Sequence, residues 1–343
     1  MTKRHKIIKG IKIMVCILFV LILAVAGILF FPLTGEKHTE IWSADQQFDI
    51  AEIQTAEKDR EDFRILMFTD TQLWASLGKN KECYEQMDAL VEKTQPDLIT
   101  LPGDILSAMA SRFSINNFIK HMESYGIPWA PVYGNHDNEI PSNSLNWQAD
   151  KYMAAEHCIM QKGPSNLYGC GNYVINITEK GEPVYTLFMF DNGRYLEYLD
   201  EKTSEPYTKE IYMGYEQIVW YEWNVKGIEK SAGRIIPSMT FSHFAQPEFR
   251  EAVEKYGVQD ENGVYTFLRN TALDIVSISR VQRLLNQVLR MSARSLVQQN
   301  TFSVVTTMRI MQALPMTVLP IHMVLKPVHP LFRGTMQRKQ AAR

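Results

Sequence analysis

The sequence predicts an α/β domain built on a parallel sheet, preceded by one apolar N-terminal helix. From residue 63 onward, short apolar runs alternate with amphipathic runs. The order strand, helix, strand, helix, strand is typical of parallel sheets with right-handed crossovers. The helix is predicted because residues 13–31 contain no charged side chain. With 343 residues, 45% hydrophobic and 22% charged, the chain has the composition of a folded domain rather than of a disordered protein.

The apolar run at residues 13–31 has the length of a membrane-spanning helix, because it would rise about 28 Å. Residues 1–12 carry five basic side chains and no acidic one. Since positive flanks stay in the cytoplasm, this pattern predicts a single-pass membrane protein whose body lies outside the cytoplasm. Secretion after signal cleavage is the alternative, because Ala24-Val25-Ala26 resembles a cleavage site. An uncleaved anchor is favoured because the apolar run continues to Phe31, and residues 32–59 are predicted to form a polar tether.

The body of the chain, residues 60–268, carries the alternating elements. Apolar runs bounded by turn residues predict strands, and apolar stripes spaced three and four residues apart predict helices. Lys180-Gly181 predicts a hairpin turn, and residues 138–170 either line the entrance of a site or form a small packed subdomain. The predicted strands are 63–68, 97–101, 128–133, 173–177, 184–190 and 234–241, and the predicted helices are 79–95, 113–125 and 215–228.

Charge and cysteine content exclude two classes of protein. The net charge is −2, and residues 60–265 contain no basic stretch interleaved with aromatic residues. No nucleic-acid partner is therefore expected, which argues against a nuclease. Four cysteines in 343 residues cannot form a disulfide scaffold, so free thiols are predicted.

Side chains that suit a metal follow four of the predicted strands. Asp70, Asp104 and the run Asn135-His136-Asp137 follow three successive strands, and His243 follows a later one. Each of them alone is typical of a cap, a turn or a packed core residue. Because the carboxyl ends of strands in an open α/β sheet share one edge, their joint arrangement favours a divalent metal site there. Two ions about 3.5–4 Å apart would suit a phosphoryl displacement.

These residues resemble the motifs of the calcineurin-like metallophosphoesterases. The resemblance covers about residues 60–265, and it implies a four-layer α/β/β/α sandwich that hydrolyses a phosphate mono- or diester with two divalent ions, Mn, Fe or Zn. The blocks that carry it are Asp70-Thr71-Gln72, Gly103-Asp104, Gly134-Asn135-His136-Asp137 and Ser242-His243.

The resemblance also implies a role for each site residue. Asp70 and Gln72 would hold the first metal, Asp104 would bridge both, and Asn135 and His243 would hold the second. His136 would lie beside the leaving oxygen, oriented by Asp137. Gln72 departs from the usual histidine of the family, and its amide oxygen is a harder and weaker ligand than imidazole.

The family's last block, Gly-His-x-His, is missing from residues 269–343. Codons that encode Ser303 to Ile310 can also read Cys-Gly-His-Asp-His-Glu-Asn, beginning at the third base of the Ser303 codon. We therefore interpret residues 269–343 as a frameshifted tail, arising from a sequence error or a pseudogene. The alternative is a genuine basic helix at residues 280–300 that binds a partner or a lipid surface.

The sequence thus predicts an outward-facing, membrane-tethered phosphoesterase that acts on a phosphate-ester substrate and is impaired in the chain as written. The alternative is a non-catalytic anchored relative that binds a ligand or protein. Catalysis is favoured because Asp70, Asp104, Asn135 and His243 are present together.

Overall fold

In the computed structural model, the N-terminal helix is followed along the chain by a domain in which two sheets pack face to face between two layers of helices. The structure describes residues 3–59, 62–74, 80–107, 110–139, 143–192, 194–199, 206–211, 213–244, 258–259, 265–266, 301–305 and 322–324. The helices are α1 (Lys3–Phe30), α2 (Lys81–Thr94), α3 (Ala110–Glu123), α4 (Leu145–Met153) and α5 (Tyr215–Ala232). The strands are β1 (Gln54–Glu57), β2 (Ile65–Phe68), β3 (Leu98–Pro102), β4 (Trp129–Val132), β5 (Tyr173–Glu179), β6 (Glu182–Phe190), β7 (Arg194–Leu199), β8 (Pro206–Ile211), β9 (Ser238–Ser242), β10 (Val258–Gln259), β11 (Tyr265–Thr266), β12 (Thr301–Val305) and β13 (His322–Val324).

The first sheet is parallel, with the strand order β13-β2-β3-β4. Every residue of β2, β3 and β4 is buried, as expected for parallel strands covered on both faces. Helices α2 and α3 cover one face with an apolar stripe each. The stripe residues in the core are Cys83, Met87 and Val91 of α2 and Ile115, Phe118 and Met122 of α3.

The second sheet has the order β1-β5-β6-β9-β12 and alternates its side chains between two cores. One face, which includes Ile175, Leu187 and Phe241, joins the core of the first sheet. The opposite face, which includes Val174 and Phe188, packs under α5. This period of two produces the four-layer α/β/β/α sandwich, which confirms the predicted fold class.

The predicted strands and helices of the domain are present, with boundaries that differ by a few residues. The β5–β6 hairpin turns at Lys180 and Gly181, whose positive φ angles of 54° and 79° suit a tight turn. Residues 138–170, for which two interpretations were open, contain α4, whose Tyr152 is fully buried. None of the four cysteines, all of which lie in described parts of the chain, forms a disulfide, as predicted.

The segment 32–59 does not form the polar tether that the sequence predicts. Strand β1 pairs in parallel with β5, so the segment adds a strand to the second sheet. Trp42 and Phe48 pack edge-on against Trp223 of α5, with ring centroids 5.8 and 5.1 Å apart. Two isolated aromatic residues give no periodic pattern, which is why the sequence did not predict this docking.

The remaining features are the N-terminal helix and the described strands of the C-terminal tail. Residues 8–27 of α1 form a helix of 20 residues that is apolar and long enough to cross a membrane, and its side chains are not buried by the domain. In the tail, β12 pairs with β9 and β13 pairs with β2, both in parallel. The alternative helix at residues 280–300 lies outside the described residues.

Candidate metal centre

The four predicted strand ends meet at one edge of the sandwich. Ligand atoms of Asp70, Asp104 and His243 all lie within 4.8 Å of one another. Gln72 Nε2 lies 3.4 Å from Asp104 Oδ2, and Asn135 Oδ1 lies 3.2 Å from His243 Nε2. The structure therefore brings together all five side chains that the resemblance assigns to metals.

The loops that present these side chains have an unusual backbone conformation. Asp70, Gln72 and Asp104 have φ angles of 54°, 41° and 55°, in the left-handed region that costs about 1–2 kcal/mol per residue. Backbone bonds hold the two loops together, since Gln72 N–H donates to the Asp104 carbonyl at 2.9 Å. Among the described non-glycine residues, two others have positive φ, and both lie at a helix end or hairpin turn. Strain concentrated in this way is typical of functional sites.

Asp137 holds the loop that carries Asp104. Its Oδ1 accepts N–H bonds from Ile105 and Leu106 at 3.0 and 3.1 Å. Its Oδ2 accepts N–H bonds from Asp104 and Gly134 at 2.8 and 2.7 Å. One buried carboxylate thus satisfies four backbone donors from the turns after β3 and β4.

The expected role of Asp137 in orienting His136 is therefore corrected. The His136 Nδ1 atom contacts Glu139 Oε1, one turn along the chain, because the short helical turn at 136–138 directs Asp137 into the core. His136 Nε2 lies 3.8 Å from Asp104 Oδ2, and the His136 N–H donates to Asp104 Oδ1 at 2.9 Å. The imidazole remains at the site, with Glu139 as its partner.

The electrostatics of the cluster favour positive charge at its centre. Burial disfavours the imidazolium of His243, but the hydrogen bond and charge of Asp104 raise its pKa to about 9. Burial also disfavours the Asp104 carboxylate, yet contacts with His243 and His136 hold its pKa below the usual value. Burial raises the pKa of Asp70, against the hydroxyl bond from Thr69. Two carboxylates close together are stabilised by any cation placed between them.

The donor set fits divalent metal ions. His243 Nδ1 donates to the Pro102 carbonyl at 3.1 Å, which leaves Nε2 directed toward Asp104 Oδ2 at 3.4 Å. A backbone bond of this kind is how metal-binding histidines are commonly oriented. Carboxylate, amide and imidazole donors together suit Mn, Fe or Zn.

Two glycines make this close approach possible. A Cβ atom at Gly103 would lie 2.4 Å from His243 Nδ1, and one at Gly134 would lie 2.2 Å from Asp104 Oδ1. Any side chain at these positions would occupy the space that the ligands use.

Three residues of the site were missed by sequence reasoning. Thr69 donates to Asp70, Glu139 contacts His136, and Gln148 of α4 donates to the Asp137 carbonyl at 2.7 Å. Glu139 carried one usable signal, its position three residues after His136, where a helical turn brings side chains together. Gln148 carried none, since it reaches the site only through the packing of α4.

Comparison with known proteins gives a match to a family model and to several relatives. The family model described as calcineurin-like phosphoesterase matches residues 63–276. The protein named "probable inactive purple acid phosphatase 14" of Arabidopsis thaliana is 25% identical over 250 residues, with a coverage of 58% of this chain and 58% of its own. Phosphatase DCR2 of Saccharomyces cerevisiae is 23% identical over 268 residues, covering 68% of this chain and 44% of its own.

Two further proteins are similar to this chain. A second Arabidopsis relative, "probable inactive purple acid phosphatase 28", is 25% identical over 232 residues, covering 57% of this chain and 56% of its own. A crystal structure of a dimetal phosphatase from Danio rerio aligns with a TM-score of 0.37 and 12% identity, covering 64% of this chain and 77% of its own. The chain thus spans about half the length of the curated relatives that it matches.

Proposed function

The chain belongs to the calcineurin-like phosphoesterase family, and we propose that the cluster at its sheet edge hydrolyses a phosphate ester with two divalent metal ions. The observation that carries the proposal is the convergence of Asp70, Asp104 and His243 within 4.8 Å on a strained, buried edge. Two divalent ions, when bound, supply charge that stabilises phosphoryl oxygens and activates a water molecule.

The ligand roles that we propose are those that the family resemblance implies. Asp70 and Gln72 would hold the first ion, and Asn135 and His243 the second. Asp104 would contribute to both ions, and the support is that its Oδ2 lies 3.4 Å from Gln72 Nε2 and 3.4 Å from His243 Nε2. The bonds from Asp137 to the Asp104 loop fix that carboxylate before substrate arrives, which is the preorganisation that charge stabilisation requires.

His136 is the side chain to which we give the proton transfer. Its Nε2 lies 3.8 Å from Asp104 Oδ2, and its Nδ1 contacts the Glu139 carboxylate. We assign to Nε2–H the donation of a proton, or of a hydrogen bond, to the leaving oxygen.

We also propose that the chain as written is impaired because its reading frame is shifted in the tail. Strand β12 pairs with β9 so that Val305 lies opposite Ser242, next to His243. In the alternative frame, the histidines of Gly-His-Asp-His would follow directly at that strand end. The alternative reading frame would thus place two histidine side chains at the edge that carries the proposed metal ligands.

Metal content tests the reading frame. The chain as written should retain one ion at most after dialysis, whereas a chain corrected to contain Gly-His-Asp-His should retain two. Two ions and comparable turnover in the uncorrected chain would contradict the frameshift. The nucleotide sequence across codons 262–310 gives an independent answer.

A second candidate function is a non-catalytic anchored binding protein. It is favoured by the names of the two Arabidopsis relatives, which describe them as inactive. Gln72 in place of the family's usual histidine also favours a non-catalytic protein, because an amide is a weaker metal ligand than imidazole. The two candidates differ in turnover, since a binding protein would hold a phosphate ester without cleaving it.

The experiment that tests catalysis compares the aspartates that flank the two ends of β3. In the frame-corrected chain supplied with Mn, Asp104→Asn should abolish hydrolysis of p-nitrophenyl phosphate. Asp97→Asn is the matched control, because Asp97 lies just before β3, at the opposite end from Asp104, and accepts the Arg64 N–H at 2.7 Å. An Asp104→Asn protein as active as its parent would exclude the bridging role.

We propose, finally, that α1 anchors the protein in a membrane with the domain outside the cytoplasm. The support is the helix over residues 8–27, which is apolar and long enough to cross a membrane, and the basic residues before the uncharged run 13–31. Secretion after cleavage remains the alternative for this segment.

A further inference from the structure

The junction between α1 and the domain lies on the same edge as the metal-ligand cluster. The carbonyl of Phe31, at the end of α1, accepts a hydrogen bond from the guanidinium of Arg112. Two residues later, the Leu33 carbonyl accepts the Ser144 N–H at 2.9 Å, and Leu33 forms a β-bridge with Asn143. Arg112 lies in the first turn of α3, and Ser144 caps α4. These helices begin where the chain leaves β3 and β4, at the carboxyl edge.

A short series of hydrogen bonds joins this junction to the cluster. Arg112 Nε donates to Asn143 Oδ1 at 3.1 Å. Gln148 Nε2 lies 3.4 Å from the Asn143 carbonyl and 2.7 Å from the Asp137 carbonyl. Asp137 in turn accepts the Asp104 N–H at 2.8 Å. The end of α1 and the loop that carries Asp104 are therefore joined by a series of hydrogen bonds along one edge.

Exposed aromatic side chains lie beside the junction. Trp74 is 53% exposed, Phe113 is 45% exposed and Phe31 is 68% exposed. Phe113 follows Arg112 in α3, and Ser114 Oγ donates to the Trp74 carbonyl at 3.0 Å, so these residues surround the first turn of α3. Tryptophan and phenylalanine in water are costly, whereas at a membrane interface they are favourable.

The length of α1 gives the depth of this edge. The uncharged run 13–31 rises about 28 Å, close to the hydrocarbon core of about 30 Å. Phe31 is the last residue of that run, and its N–H still bonds to the Gly27 carbonyl at 2.9 Å, so it lies at the outer end of the helix. The Phe31 carbonyl, which Arg112 contacts, is therefore at the boundary between the hydrocarbon core and the headgroups.

We infer that the carboxyl edge rests against the bilayer that holds α1, and that the ester cleaved there is the phosphate of a lipid headgroup. This inference rests on the proposed function, both for phosphoester hydrolysis and for membrane anchorage. A site held at headgroup depth meets lipid phosphates directly, whereas a soluble ester would have to enter from the side.

The orientation is tested by quenching of tryptophan fluorescence. The full chain is placed in phosphatidylcholine vesicles, with and without lipids brominated near the headgroup. Trp74 is the exposed one among the six tryptophans, so we expect quenching by brominated lipid, and its loss in Trp74→Phe. A matched control adds Ile235→Trp to Trp74→Phe, because Ile235 is exposed before β9, at the opposite edge, and the indole introduced there should not be quenched.

The outcomes separate the inference from the proposal on which it rests. A chain that alkaline carbonate extracts from the vesicles would refute membrane anchorage itself. In the other case, the parent chain stays in the vesicles after carbonate treatment and shows no more quenching than the control that combines Ile235→Trp with Trp74→Phe. That result would overturn the inferred orientation but would not contradict membrane anchorage.

The substrate class is tested with the frame-corrected full chain in vesicles that contain phosphatidic acid or phosphatidylglycerol. We expect release of phosphate or headgroup from one of them, and a loss of at least 10-fold when Trp74 and Phe113 are both replaced by serine. Hydrolysis of soluble p-nitrophenyl phosphate by the same variant should stay within twofold. Cleavage of the soluble ester alone, or equal losses on both, would overturn a lipid substrate. If neither the lipids nor p-nitrophenyl phosphate were cleaved, the proposed function would be refuted, and the fluorescence result would still decide the orientation.

Discussion

Gly134 offers a steric test of the metal centre. Its φ is not in the left-handed region, so alanine is acceptable to the backbone and the effect is one of space. The new Cβ would lie 2.2 Å from Asp104 Oδ1 and 2.6 Å from Asp104 N, against a lower limit of 3.0 Å for real contacts. The carboxylate must therefore move by about 0.8 Å, several times the roughly 0.2 Å tolerance of a metal–ligand distance.

We expect Gly134→Ala to weaken Mn binding by at least about 100-fold, beyond the usual effect of changing a residue behind the ligands. Binding is measured by calorimetry on the frame-corrected chain. Stability is measured by urea unfolding, where overpacking should cost about 1–3 kcal/mol.

Gly227→Ala is the matched control. Its Cβ would lie 2.3 Å from the Phe48 ring, a comparable overlap on α5, away from the cluster. It should lose similar stability and keep its metal. Normal metal affinity in Gly134→Ala would refute the steric reasoning, and equal metal loss in Gly227→Ala would show that the effect is global.

Two further results are expected. Gln72→His should raise affinity for Zn on the order of 10-fold, because imidazole is a stronger ligand for zinc than an amide oxygen; Gln72→Leu is the control, and equal affinities would remove position 72 from the ligand set. Protease added to intact cells should digest the domain, whereas full protection of the domain would contradict an outward orientation.

Sequence reasoning found the parallel strands because burial on both faces leaves an uninterrupted apolar run. The run 65–68 is of this kind. The antiparallel pair of β7 and β8 was not predicted, because the sequence Arg-Tyr-Leu-Glu-Tyr-Leu at 194–199 does not alternate polar and apolar residues with a period of two. Strand β1 was missed because its partner, β5, lies more than a hundred residues away and β1 has no apolar pattern of its own.

The candidate ligands could be predicted because their place at strand ends depends only on the order of the elements. The partners of those ligands could not, because they depend on where the turns direct each side chain. Asp137 turns into the core to hold four N–H groups, while Glu139 takes the position at His136 that the resemblance gave to Asp137.

The docked segment 32–59 has a practical consequence for producing the domain on its own. A shortened protein that began at residue 60, the boundary suggested by the sequence, would lack β1 and uncover the edge of β5. It would also expose Trp223, which Trp42 and Phe48 cover. An unpaired strand edge beside a bare aromatic ring is a known cause of aggregation, so soluble expression calls for a start just after the apolar helix. The same contacts mean that any shedding of the domain from cells would have to cut close to the helix, and the released form would carry this segment with it.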